Sequence, residues 1–192
     1  MKGGTAINLF CRDMPRLSVD IDLVFFAPAV PNRQEALAAI EDGLRQVAGE
    51  LEKRLKVKVQ RTSSGSDQET KLFVSRGATR VKIEVNHVFR GSVYPVIVGN
   101  LTQGAEDLFE REVSVPMLDV DELYASKLVA ALDRQHPRDL FDVMLLNENG
   151  GITPRMRRAF VVYLAGHNRP MHELLLPHLT TSKKRSRKNL SG

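Results

Sequence analysis

The chain has 192 residues, 42% hydrophobic and 27% charged, enough apolar content for the core of one domain, or of one domain with a small helical appendage. A single cysteine, Cys11, excludes an internal disulfide, and no apolar run approaches a membrane span or a signal peptide, so cytoplasm is the default compartment. The net charge is +5, but the run Lys183-Lys184-Arg185-Ser186-Arg187-Lys188 supplies five positive charges by itself and leaves the body near neutral. Such a tail is either solvated chain or an electrostatic grip on RNA.

In chain order, Gly3-Gly4-Thr5 runs into the apolar-periodic Ala6 to Phe10, a pattern that predicts a turn feeding a helix N-terminus, where free N–H groups can hold phosphate. A motif of this kind at the first residues implies that a preceding segment is missing or very short. Arg16 to Phe26 alternates every second residue and predicts a strand. Ser18, Asp20 and Asp22 then share one face, and Val19, Ile21 and Leu23 the other. Two carboxylates on one strand face repel unless something neutralises them. A divalent cation does so, and Mg²⁺ favours a few carboxylates plus phosphate oxygens. A solvated edge strand is the bland alternative.

After a break at Pro28 to Pro31, the spacing of Ala36, Leu37, Ile40, Leu44, Val47, Leu51 and Leu55 predicts a long helix over 33–55. Residues 57–61 alternate, 63–67 read as a hairpin loop, 71–75 alternate again, and 76–78 turn into the strand 80–86. Lys82 and Glu84 lie on the polar side of that strand. If it pairs beside Asp20 and Asp22, Glu84 becomes a third carboxylate of the same site. The Gly/Pro-interrupted stretch 89–103 reads as partly extended, and 111–117 as a short strand. A helical region follows from 118, with Leu123, Ala125, Leu128, Val129 and Leu132 as its buried stripe and Lys127 beside it. His136-Pro137 breaks it. Asp139 and Asp142 share one face near the start of the next helix, either as caps or as positioning groups for a nucleotide or for Lys127. Thr153-Pro154 starts a further helix, and 171–176 a last short one. The expected organisation is a core over 1–117, a helical part over 118–179 and a disordered basic tail over 180–192. The five histidines show no ligand spacing with Cys11, which argues against zinc.

The order of these pieces resembles the AbiEii family of nucleotidyltransferase toxins, within the DNA-polymerase-β-like superfamily. The matching stretches are Lys2-Gly3-Gly4-Thr5-Ala6, Arg16-Leu17-Ser18-Val19-Asp20-Ile21-Asp22, Lys82-Ile83-Glu84-Val85-Asn86, Glu122 to Leu128 and Arg138-Asp139-Leu140-Phe141-Asp142. The resemblance covers roughly residues 2 to 148. It implies an α+β fold, a mixed sheet with flanking helices followed by a helical C-terminal part, and a bacterial toxin–antitoxin or phage-defence pair with the antitoxin encoded nearby. It implies transfer of a nucleoside monophosphate from an NTP to an acceptor hydroxyl, with tRNA or other RNA as acceptor. Asp20, Asp22 and Glu84 would hold two Mg²⁺ ions. Gly3, Gly4, Thr5 and Ser18 would cradle the triphosphate, Lys127 and then Lys82 would neutralise its charge, and Asp139 with Asp142 would position the nucleotide or Lys127. The chain departs from the pattern at Thr5, where the superfamily often has serine, at Glu84, where relatives carry aspartate, and in lacking the helical piece usual before the glycines. Arg155, Arg157 and Arg158 join the basic tail in favouring RNA. The alternatives are a transferase acting on a small molecule such as an aminoglycoside or on a protein side chain, a catalytically silent nucleotide- or RNA-binding module, and a plain basic RNA-binding protein.

Overall fold

The computed structural model describes residues 1–26, 32–63, 69–86 and 88–176. The break at Pro28 to Pro31, most of the 63–67 loop, His87 and the basic tail lie outside them. Two compact units are present, Met1–Leu123 and Tyr124–Gly192. The fold is the expected mixed α+β one, with a helical C-terminal part. Among the described residues no helix is long and apolar enough to cross a membrane.

The first unit is built on a four-stranded sheet. Its strands are β1 (Ile21–Val24), β2 (Lys58–Ser63), β3 (Glu69–Arg76) and β4 (Thr79–Asn86), in the order β1-β4-β3-β2. β1 and β4 run parallel and the other neighbours antiparallel. A parallel pair needs a long crossover, and here the helix α2 (Arg33–Leu55) and the β2–β3 hairpin supply it. The bounds of α2 follow from its ends. Asn32 accepts the Glu35 N–H at 2.9 Å and donates back to the Glu35 carboxylate at 2.7 Å, a reciprocal cap, and Lys56 closes the helix in the left-handed region. Its stripe of Ile40, Leu44 and Ala48 packs with Leu72, Ile83 and Val85 into the core of the sheet's apolar face.

Register fixes the opposite face. One row across the sheet carries Asp22, Glu84, Lys71 and Thr62. The next carries Lys82, Phe73 and Gln60, and the third Arg80, Ser75 and Lys58. The predicted strand over 16–26 is cut to four residues. The Asp20 carbonyl, which would extend the ladder, is taken by the Thr5 hydroxyl. On the free edge of β1, the Lys2 N–H bonds the Asp22 carbonyl at 2.8 Å.

Gly3 to Ala6 form a helical turn, α1, that continues as a π-helical turn over Ile7–Cys11. The glycines therefore stand inside the helix, not in a turn before it. Residues 89–103, read from sequence as partly extended, contain β5 (Ile97–Asn100) and the start of α3 (Gln103–Phe109). β5 pairs antiparallel with β6 (Ser114–Met117). The helix is short and has Gly104 in its first turn, so the pattern is faint in sequence. A tertiary contact makes it: the Asp13 carboxylate accepts the Gly104 N–H at 2.9 Å and fills the space a side chain would need.

The second unit is helical. It holds most of α4 (Val120–Arg134), then α5 (Pro137–Glu148), α6 (Pro154–Ala165) and α7 (Met171–Leu175). Proline stands at the first position of α5 and of α6, where no N–H is needed, and the His136 and Thr153 side chains cap these helices. Val129, Leu146, Met156, Ala159, Tyr163 and Leu174 are buried.

Candidate active site

Asp22 and Glu84 stand directly opposite each other in the β1–β4 ladder, so their side chains leave the same face of the sheet. Asp20 precedes β1 by one residue and reaches Lys82, whose ammonium is 3.9 Å from its carboxylate. Lys82 also bonds Glu84 at 2.9 Å, and Lys71 meets the other Glu84 oxygen at 3.1 Å. Lys71, Glu84, Lys82 and Asp20 thus alternate in charge, and Asp22 joins this cluster beside Glu84.

Burial and charge move these groups in different directions. Burial raises the pKa of Asp22, and the negative charges of Glu84 and Asp20 add to it against the pull of Lys82 and Lys2. Burial alone would raise Glu84 as well. The hydrogen bonds from Lys82 and Lys71, with their charges, outweigh it and hold Glu84 below the usual range. Burial would lower Lys82, but the Glu84 hydrogen bond and the charges of Glu84, Asp20 and Asp22 raise it. One carboxylate of the facing pair therefore resists ionisation while its neighbour is held ionised.

The N-terminal turn abuts this cluster. Gly3 has φ +77°, and a Cβ there would collide with the Asp22 carboxylate. Gly4 is flanked in the same way by the Arg16 guanidinium and the Ser18 hydroxyl. Thr5, buried, links its hydroxyl to Ser18 at 3.0 Å and to the Asp20 carbonyl. The two glycines let the helix approach the acidic strand, and Thr5 fastens it. Cys11 ends the same segment, and burial pushes its thiol up to about 11, too high for a thiolate at neutral pH.

The other expected residues lie in the helical unit. Lys127 is buried on α4, with its ammonium 3.0 Å from Asp139 and 3.0 Å from Asp142 on α5. Arg134 adds a contact to Asp139 at 2.9 Å. Both aspartates thus hold the Lys127 ammonium, and Asp139 also stands in the first turn of α5.

The family model of the AbiEii nucleotidyl transferase toxin, from type IV toxin–antitoxin systems, matches residues 1–190. The chain belongs to the AbiEii family. Its fold is also similar to that of MenT4, a nucleotidyltransferase toxin from Mycobacterium tuberculosis H37Rv, with a TM-score of 0.66 and 19% identity. That likeness covers 93% of this chain and 63% of MenT4, so the chain spans less than two thirds of the length of that toxin. A comparison with curated proteins gives no match.

In this AbiEii chain, among the described residues, no three His, Cys, Asp or Glu side chains are arranged to hold a metal ion together. The donor chemistry at Asp20 and Asp22 suits a hard divalent cation completed by phosphate oxygens. Glu84, with a lysine on each oxygen, joins such a set only by releasing one of them. Sequence reasoning on this AbiEii chain missed two contributors. Lys71 reaches Glu84 across the ladder, a contact only register reveals. Glu122, fully buried, accepts the N–H groups of Val93 and Tyr94 at 2.9 and 3.0 Å and pins the loop before β5; it opens one of the family-like stretches, but nothing in the sequence points to these partners.

Proposed function

We propose that this chain transfers a nucleoside monophosphate from an NTP to an acceptor hydroxyl of RNA, the hydroxyl attacking the α-phosphorus as the α–β bond breaks and pyrophosphate leaves, with tRNA first among the candidates, as the toxin of a pair whose antitoxin is encoded nearby. The observation that carries this reading is the placement of Asp22 and Glu84 side by side on one sheet face, against a glycine that has no room for a side chain. Family membership supports it.

Asp20 and Asp22 would hold Mg²⁺, with Glu84 as the third carboxylate. Bound there, Mg²⁺ neutralises triphosphate charge and lowers the pKa of the acceptor hydroxyl. The chain's own part is positional and electrostatic. Gly3 and Gly4 bring the backbone N–H groups of the first helical turn beside the acidic strand, where they can meet phosphate oxygens. Thr5 and Ser18 hold that turn in register. Lys82 exchanges its Glu84 contact for a phosphate oxygen, which frees Glu84 to act as a carboxylate donor. Lys127, fixed by Asp139 and Asp142, is the further cation assigned to the phosphates.

The two lysines on Glu84 also favour a second reading, a module that binds nucleotide without catalysis. Incubation with each α-labelled NTP, total tRNA and Mg²⁺ separates the two. The transferase reading expects label on RNA and a loss of about 10²–10³-fold or more in folded Asp20→Asn. Undiminished transfer by that variant removes Asp20 from the mechanism. Stabilisation of the protein by NTP and Mg²⁺ with no transfer to any RNA establishes the silent module.

A further inference from the structure

The polar face of the sheet holds more than the carboxylates. Phe73 sits at the middle of it, half-buried, paired in register with Lys82 on one side and Gln60 on the other. The Arg80 guanidinium lies over its ring, 3.9 Å from the centroid. Exposed Lys58 stands in register beyond Arg80, across Ser75. Lysines on an open sheet face serve solubility, but a ring placed among them does not. Its own apolar neighbours in the strand, Leu72 and Val74, point into the core on the other side.

We infer that this face is a track for a single-stranded segment of a nucleic-acid acceptor, whose bases stack on the Phe73–Arg80 platform and whose phosphates meet Lys58, ending at Asp22 and Glu84. The inference rests on the transferase reading of the acidic pair and names where the acceptor lies. Stacked aromatic and guanidinium planes are the groups that hold unpaired bases, and flanking cations track the backbone. An acidic peptide offers the charges without a ring to stack. Arg80 and Glu84 are four residues apart on β4, about 13 Å, so a few nucleotides of one strand reach from the platform to the acidic pair.

The test is fluorescence anisotropy of a labelled oligouridine of about 12 nucleotides, measured without NTP or divalent ions, beside a transfer assay on the same proteins. Wild type binds, and binds the single strand more tightly than a duplex of equal length. Phe73→Leu, which keeps apolar bulk but loses the ring, weakens binding about tenfold. Arg80→Gln, an exposed change that leaves the core intact, does likewise. Lys58→Gln lowers the salt slope by about 1, and Arg45→Gln on the outer side of α2 changes nothing. Binding that ignores Phe73, Arg80 and Lys58 while transfer proceeds overturns the track and leaves the catalytic reading standing. Binding that depends on them while no NTP supports transfer upholds the track and overturns the catalytic reading.

Discussion

Asp22 meets three demands at once. Its carbonyl takes the Lys2 N–H, its carboxylate occupies the space that Gly3 leaves empty, and its charge is carried in a partly buried setting beside Glu84. Burial raises its pKa, so the folded protein penalises the ionised form. The sign follows. The penalty is present at neutral pH and is relieved as pH falls through the folded-state value, where the carboxylate takes up a proton. Asp22→Asn removes the charge and keeps the shape. Its thermal midpoint should exceed that of wild type at pH 7, with the gap closing as pH falls, while nucleotide transfer drops about 10²–10³-fold. Glu84 works the other way, since its folded value is lowered, and it loses stabilisation as pH falls through that value. A wild-type midpoint above that of Asp22→Asn at neutral pH would show that the fold does not carry this cost. If Asp22 serves the proposed transfer, its charge is held there at a cost to stability.

At the scale of the element, α4 and α5 are joined by a buried charge network as well as by apolar packing. Lys127 has two aspartate partners, both buried, and Arg134 shares one of them. Removing the ammonium leaves two carboxylates facing each other away from water. Lys127→Met should therefore cost about 3–5 kcal/mol in urea unfolding, whereas a loss under about 1 kcal/mol, typical of an exposed pair, would place the network in solvent. Elements of this kind were legible where the pattern is long. The stripe of α2 gave its bounds, and the alternation of Val81, Ile83 and Val85 gave β4. They were not legible where a tertiary contact decides. α3 depends on Asp13, far away in the chain, and β1 is shortened by Thr5. The glycines entered the helix itself because Asp22 and Ser18 fill the space beside them, which no local signal records.

For the whole molecule, the order of motifs along the chain was the informative signal, because each motif by itself has an ordinary structural explanation. The order pointed to the AbiEii family, and the family model spans residues 1–190. The electrostatics of the site were not in that order. Strand pairing places Lys71 on Glu84, and register alone determines that Phe73 and Arg80 share a face with the carboxylates. The central claim is that Asp20, Asp22 and Glu84 bind divalent cations together with an NTP. The most direct measurement is Mn²⁺ binding followed by electron paramagnetic resonance, with and without a non-hydrolysable NTP. Wild type should bind Mn²⁺ far more tightly when the nucleotide is present, and folded Asp22→Asn and Glu84→Gln should each lose that gain. Nucleotide-dependent Mn²⁺ binding that is unchanged in both variants would contradict the account.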